Sequence, residues 1–199
     1  MLGMMTVMAL MFSAVAIPAP TAVAVEVVTV NGSGCQVGTT AVAMNSDNTA
    51  FTVRYSGFQA RAGVGTSPTE FRKNCQINLK LRYPQDVTFG IAQVDYRGSA
   101  RLPVGATGVE RGNHYFAGSP STLQQNHSFA GPLTDNWQAT DTTDPNLVFF
   151  PPCGQNWNLN ANTEIRVTAG AAGDLSAMTM SPTTGDFSAT YHLTWRKCG

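Results

Sequence analysis

Between Trp157 and Gly170 the chain reads as two interleaved rows. Trp157, Leu159, Ala161, Thr163, Ile165, Val167 and Ala169 share one phase; Asn158, Asn160, Asn162, Glu164, Arg166 and Thr168 share the other. Successive side chains of a strand point to opposite faces, so this period of two predicts one long strand with an apolar and a polar side. A helix would mix asparagines with aliphatics on every face, and three Asn so close together are poor helix formers. The same alternation predicts strands over residues 49–56, 75–83 and 187–196. They are carried by Phe51, Val53 and Tyr55, by Cys75, Ile77, Leu79 and Leu81, and by Phe187, Tyr191, Leu193 and Trp195. Shorter strands are predicted over 25–30 and 40–44. After Val87, Phe89 and Ile91 the apolar phase slips by one, to Ala92, Val94 and Tyr96, which predicts a β-bulge or a strand crossing between layers.

Turn chemistry separates these segments. Asn31-Gly32-Ser33-Gly34, Asn45-Ser46-Asp47-Asn48 and the Thr183–Asp186 stretch read as turns, since Asn, Asp and Gly tolerate left-handed backbone. Residues 57–68 and the polar stretch 134–146 read as loops, and His114–Phe116, a stretch around Phe129 and the apolar run 147–150 as strand kernels. No segment longer than two turns carries a helical apolar period. Many short alternating strands between turns predict an antiparallel β-sandwich, jelly-roll-like, with a closed barrel as the alternative. Trp157 and Trp195, both in the inward phase, are expected to anchor the space between the sheets.

Charge changes the picture next. Only 12% of residues are charged, against about 25% in an average soluble domain. The formal net charge is zero, so there is no basic surplus to neutralise a phosphate backbone, and nucleic acid is excluded as a partner class. Residues 1–24 are apolar and end in Ala22-Val23-Ala24, the small-x-small pattern of a secretory signal cleaved before Val25. No Lys or Arg precedes Arg54, which departs from that pattern, but Pro18 and Pro20 interrupt the apolar run before it reaches the ~20 residues of a membrane span. A single domain over residues 25–199 is therefore expected, exported and without a membrane span. Four cysteines, at 35, 75, 153 and 198, then read as two disulfides; of three possible pairings, Cys35–Cys75 with Cys153–Cys198 is favoured.

Catalytic signatures are sparse. There is no GxSxG, no HExxH and no alternating acid pair of the kind glycosidases set along a strand, and the three histidines (114, 127 and 192) are scattered. The stretch around Trp137 is the best ligand candidate. Its indole beside Asp135, Asn136 and Gln138, with Tyr115, offers a flat apolar face and hydrogen-bonding groups for a sugar; the bland alternative is an inward Trp on a short strand with Ala139. Asp135, Asp141 and Asp144 offer oxygens to Ca²⁺ without the spacing of a calcium loop, or simply cap turns. No other cofactor is called for. Tyr96, Arg97, Arg101, Arg111 and Tyr115 form a looser basic–aromatic set suited to an acidic ligand. Asn158, Asn160 and Asn162 read as a solvated sheet face. Asn31 and Asn126 head glycosylation sequons in expected loops.

Several stretches resemble a known family. VVTVNGSGC (27–35), DNTAFTV (47–53), EFRKNCQINLKL (70–81), DYRG (95–98), YFAG (115–118), DNWQATDTTD (135–144), PCG (152–154), NLNANTEIRV (158–167) and YHLTWRKC (191–198) are similar to small secreted proteins of bacteria and filamentous fungi. That family is catalogued as a domain of unknown function. His114, Gln36 and Glu70 depart from its pattern, where Tyr, Pro and Asp are expected. The resemblance implies secretion and paired cysteines, and supplies no activity. The expected function is a secreted, non-catalytic β-sandwich binding extracellular or cell-wall carbohydrate. The alternatives are an effector, toxin or inhibitor acting on another protein or cell, and a polysaccharide hydrolase with an unfamiliar site.

Overall fold

The computed structural model describes residues 16–119, 123–180 and 188–199. Twelve strands and no helix are found among them: β1 (Ala24–Asn31), β2 (Thr40–Met44), β3 (Ala50–Tyr55), β4 (Gln59–Ala62), β5 (Arg72–Arg82), β6 (Val87–Leu102), β7 (Thr107–Phe116), β8 (Leu123–Ala130), β9 (Leu133–Thr142), β10 (Leu159–Thr168), β11 (Ser176–Thr179) and β12 (Ser188–Lys197). One sheet runs β1-β5-β10-β7-β8. The other runs β2-β3-β12-β6-β11-β4, with β9 on the free edge of β6. Every pairing is antiparallel. Both sheets end on edge strands that do not join, so the fold is an open sandwich and the barrel alternative is set aside.

The core follows from the alternation. Along β10 the inward Leu159, Ala161, Thr163, Ile165 and Val167 are buried, in one core with Phe51, Val53, Tyr191 and Trp195 of the opposite sheet. Phe89 joins the layers, its ring 5.2 Å from that of Phe116 and 5.7 Å from that of Trp195. Trp157 sits just before β10, half-buried and stacked on Phe149 rather than in the central core.

The phase slip in β6 is a bulge. Ile91 and Gln93 face consecutive residues Leu193 and His192 of β12, which leaves Ala92 as the extra residue. Asn48 adopts φ 58°, the left-handed conformation its turn calls for. Both disulfides pair as favoured, Cys35–Cys75 with Cα atoms 5.3 Å apart and Cys153–Cys198 at 5.9 Å.

Four expectations are corrected. The sequon asparagines are not in loops: Asn126 lies within β8 and Asn31 ends β1. The loop over 57–68 contains β4, and most of the polar stretch 134–146 is β9. Residues 147–150 are not a strand; they fold over Gly90, whose bare backbone leaves room for Val148 and the Phe149 carbonyl. Phe187 and the Thr183–Asp186 turn lie outside the described residues, as do residues 1–15 of the expected leader. The rest of the leader meets the sandwich. The Ile17 amide donates to the Trp195 carbonyl at 3.1 Å, and Asn48 Nδ2 donates to the Pro20 carbonyl at 2.8 Å.

Candidate functional site: an amide-lined groove on the five-stranded sheet

The polar phase of β10 lies on the outer face of the five-stranded sheet, and registry with its neighbours decides what stands beside it. Asn162 is opposite Gln76 of β5 on one side and Asn113 of β7 on the other; Asn113 is in turn opposite Gln124 of β8, and Gln76 opposite Asn31 of β1. Each of the five strands thus contributes one carboxamide to a single row across the sheet. With strands about 4.8 Å apart, that row spans roughly 19 Å. The next row is Asn74, Glu164, Arg111 and Asn126, followed by Arg72 and Arg166. Together these rows line a groove of about 330 Å³ that includes Arg72, Asn74, Gln76, Arg111, Asn113, Gln124, Asn162, Glu164 and Arg166.

The asparagine row divides in two. Asn158 Nδ2 donates to Asn78 Oδ1 at 2.7 Å, and Asn78 Nδ2 donates to Asn160 Oδ1 at 2.9 Å, a ladder that joins β5 to β10. These two asparagines of β10 are structural, as a solvated sheet face predicts. Asn162 is different: its Oδ1 is covered and has no hydrogen-bond partner. A covered acceptor left unpaired costs about 1–3 kcal/mol, so this atom favours a ligand or water that donates to it.

Electrostatics at the other end centre on Glu164. Arg72 binds its Oε2 and Arg166 its Oε1, while Arg111 Nη1 stands 3.9 Å from Oε1. Partial burial would raise the Glu164 pKa, but hydrogen bonds and charge from Arg166 and Arg72 outweigh it and hold the carboxyl below its ordinary value. Both oxygens are therefore committed. Arg111 Nε is covered and has no partner.

Of the residues singled out from the sequence, Arg111 and Asn162 line the groove and most others fall elsewhere. Trp137 is inward on β9, 5% exposed, with its ring 5.2 Å from that of Phe129, so its indole offers no face to solvent. Asn136 and Gln138 are exposed neighbours on the outward phase, and Asp135 caps the Asn136 amide at 2.7 Å. Tyr115 is on the outer face of β7, opposite Asn160 and one row from the amides. Asp135 and Asp141 are six residues apart along one strand, about 20 Å, and Asp144 caps a turn at Asn146. The structure does not bring the three together as a calcium site. The basic–aromatic set is also divided: Tyr96 is buried, Arg97 and Arg101 share the outer face of the other sheet, and Arg111 and Tyr115 share the outer face of this one. Gln76, Asn113, Gln124 and Arg72 are each unremarkable in the sequence alone; their signal is the registry of distant strands.

Two other places hold titratable groups. His114 lines an apolar cleft of about 420 Å³ with Ile91, Phe116, Leu147 and Phe149, and burial pushes its pKa down to about 4. Between the sheets, Glu110 is fully buried with neither carboxyl oxygen partnered, facing the region of the Tyr55, Tyr96 and Tyr191 hydroxyls. Burial, then the charge of Asp141, raise its pKa well above the ordinary value. Asp141 accepts or shares a hydrogen bond with His127 Nε2 at 2.6 Å; burial raises its pKa while that bond pulls the other way. Glu110 has no exposed surface through which a substrate reaches it, so this pair of acids is interior structure.

The family described as Domain of unknown function (DUF4360) matches residues 21–198. A relative from Arthroderma benhamiae, described as an uncharacterized secreted protein, is 31% identical over 181 residues, which cover 91% of this chain and 74% of its own. Among solved structures, TmCBM61 in complex with β-1,4-galactotriose aligns over 85% of this chain and 88% of its own, at 8% identity and a TM-score of 0.31. The enzymatically active domain of bacteriophage CBA120 tailspike protein 4 aligns over 85% of this chain and 19% of its own, at 9% identity and a TM-score of 0.27. At scores this low, neither likeness speaks to the ligand of this chain.

Proposed function

This chain belongs to the DUF4360 family, and from that premise we propose that it is a secreted, non-catalytic β-sandwich that binds carbohydrate in the amide-lined groove. The observation that carries the reading is the row Gln76, Asn162, Asn113 and Gln124, one carboxamide from each of four adjacent strands. An amide offers two donors and an acceptor with two lone pairs, and adjacent sugar hydroxyls offer the complementary set. The strand spacing repeats this recognition unit at regular intervals, which suits a polymer of similar units better than a single small molecule. Among the described residues no aromatic ring lines the groove. Recognition by hydrogen bonds alone exchanges water for sugar, so affinity is modest and specificity comes from geometry.

Replacing Asn162 and Asn113 by alanine, singly, is expected to weaken binding to the best polysaccharide on a panel by about tenfold each, or about 1.4 kcal/mol. Isothermal titration with the melting temperature as a fold control makes the measurement. If both variants retain full affinity, the groove is not the binding surface.

Secretion fits the two closed disulfides. Cleavage after Ala24 would leave β1 without only its first residue. The exported protein is expected to have the mass of residues 25–199; an intact mass that includes Met1 would refute cleavage.

A further inference from the structure

We propose that the groove prefers an acidic polysaccharide, one whose sugar rings carry carboxylate or sulfate groups, received at Arg111 beside the amide row. This deepens the carbohydrate reading and rests on it. The chain as a whole is balanced, with twelve Lys and Arg against twelve Asp and Glu. The groove is not: Arg72, Arg111 and Arg166 line it against the single carboxylate of Glu164. That carboxylate is already spent, Oε2 on Arg72 and Oε1 on Arg166. Arg111 is the most loosely held of the three cations, its ion pair with Glu164 being the longest. Its Nη1 is 3.9 Å from Glu164 Oε1, beyond hydrogen-bond range, and its Nε is covered and unpartnered.

A guanidinium presents its donors as a planar fork that matches an anionic oxyanion with two parallel hydrogen bonds. Arg111 precedes Asn113 by two residues on β7, on the same outer face. Its cross-strand neighbour Glu164 precedes Arg166 and follows Asn162 in the same way on β10. An acidic sugar whose hydroxyls meet Asn162 and Asn113 would therefore place its anionic substituent one row along, beside the Arg111 guanidinium. Elsewhere on this face Glu26 is held by Arg82 at 2.9 Å, at the far end of β1 and β5, so no second carboxylate of the groove lining competes for Arg111. The partial exposure of Arg111 leaves water and salt access, so the charge preference is expected to weaken as ionic strength rises.

The test compares chains that differ only in charge: polygalacturonate with its fully methyl-esterified form, and dextran sulfate with dextran. Titrations at low salt are expected to give at least tenfold tighter binding for the charged member of one or both pairs. Arg111→Gln should bring that ratio close to one, with an unchanged melting temperature. A gain in one pair identifies carboxylate or sulfate as the anion read. If charged and uncharged members bind the native groove equally, the acidic preference is wrong while the carbohydrate reading stands. A charge gain that Arg111→Gln leaves intact also overturns the assignment. If no member of either pair binds, nor any polysaccharide on the panel, the carbohydrate reading itself fails.

Discussion

Replacing Glu110 by glutamine is expected to stabilise the protein increasingly as pH rises from 4 to 7 and to leave its stability unchanged near pH 4. Glu110 is fully buried, and burial, followed by the Asp141 charge, raises its pKa well above the ordinary value. In the unfolded chain the carboxyl titrates near 4.3. Above that pH the folded state holds a proton that the unfolded state has released, so unfolding is favoured increasingly as pH rises. The contribution of Glu110 to stability is therefore fully present below about pH 4.3 and is lost as pH climbs through the raised folded value. Glutamine fills nearly the same volume and has no proton to lose.

Other groups titrate in the same range, and the comparison must separate them. Asp141 is also shifted upward and adds a slope of the same sign. His114, pushed down to about 4, adds one of opposite sign: its contribution is full above the unfolded value of about 6.5 and lost as pH falls toward 4. Both remain in the variant, so the difference between the two proteins' urea-unfolding free energies isolates Glu110. That difference should be near zero at pH 4 and grow steadily as pH rises above the unfolded value. A pH-independent difference would mean that Glu110 is ionised in the folded state with a partner of its own.

Glu110 also explains why parts of the fold escape a reading of the sequence. Strands β3, β5, β10 and β12 announce themselves because one face is dry and the other wet, and the residue types alternate accordingly. On β7 the inward residues are Gly108, Glu110, Gly112 and His114, with Phe116 the first large hydrophobe. The bulk at those positions comes from the opposite sheet. A side chain at Gly112 would run into the Tyr96 phenol, and one at Gly108 would press on Met178 and Leu102. Apolar periodicity is thus a property of the pair of sheets, and one strand shows only its half. β9 hides for a related reason. Its third inward residue, after Trp137 and Ala139, is Asp141, tolerated in the interior because His127 of β8 bonds to it. The groove was visible as an asparagine row but not as a site. Gln76, Asn113, Gln124 and Asn162 come from four strands, and only registry brings them into line.

Trp137→Ala is expected to cost about 3–5 kcal/mol of stability, in the range for truncating a buried Trp, and to leave carbohydrate affinity of the folded protein unchanged. The indole is 5% exposed and lies between the sheets against Phe129. Its slot exists because residue 98, opposite it on β6, is glycine: a Cβ there would stand 2.5 Å from the Trp137 ring and collide with the Thr179 carbonyl. With rigid backbone on one side and a ring on the other, the site cannot collapse far around an alanine, which puts the cost toward the upper part of that range. Trp137→Phe keeps most of the apolar bulk and removes Nε1, an atom with no partner, so it should cost much less. Urea unfolding of the two variants measures the stability terms, and titration of each folded protein with the best polysaccharide measures the other. The outcomes separate two kinds of tryptophan. If Trp137 is a core residue, stability falls and affinity holds; a tenfold loss of affinity in a variant of near-native stability would make the indole a ligand platform and move the binding site from the five-stranded sheet to β9.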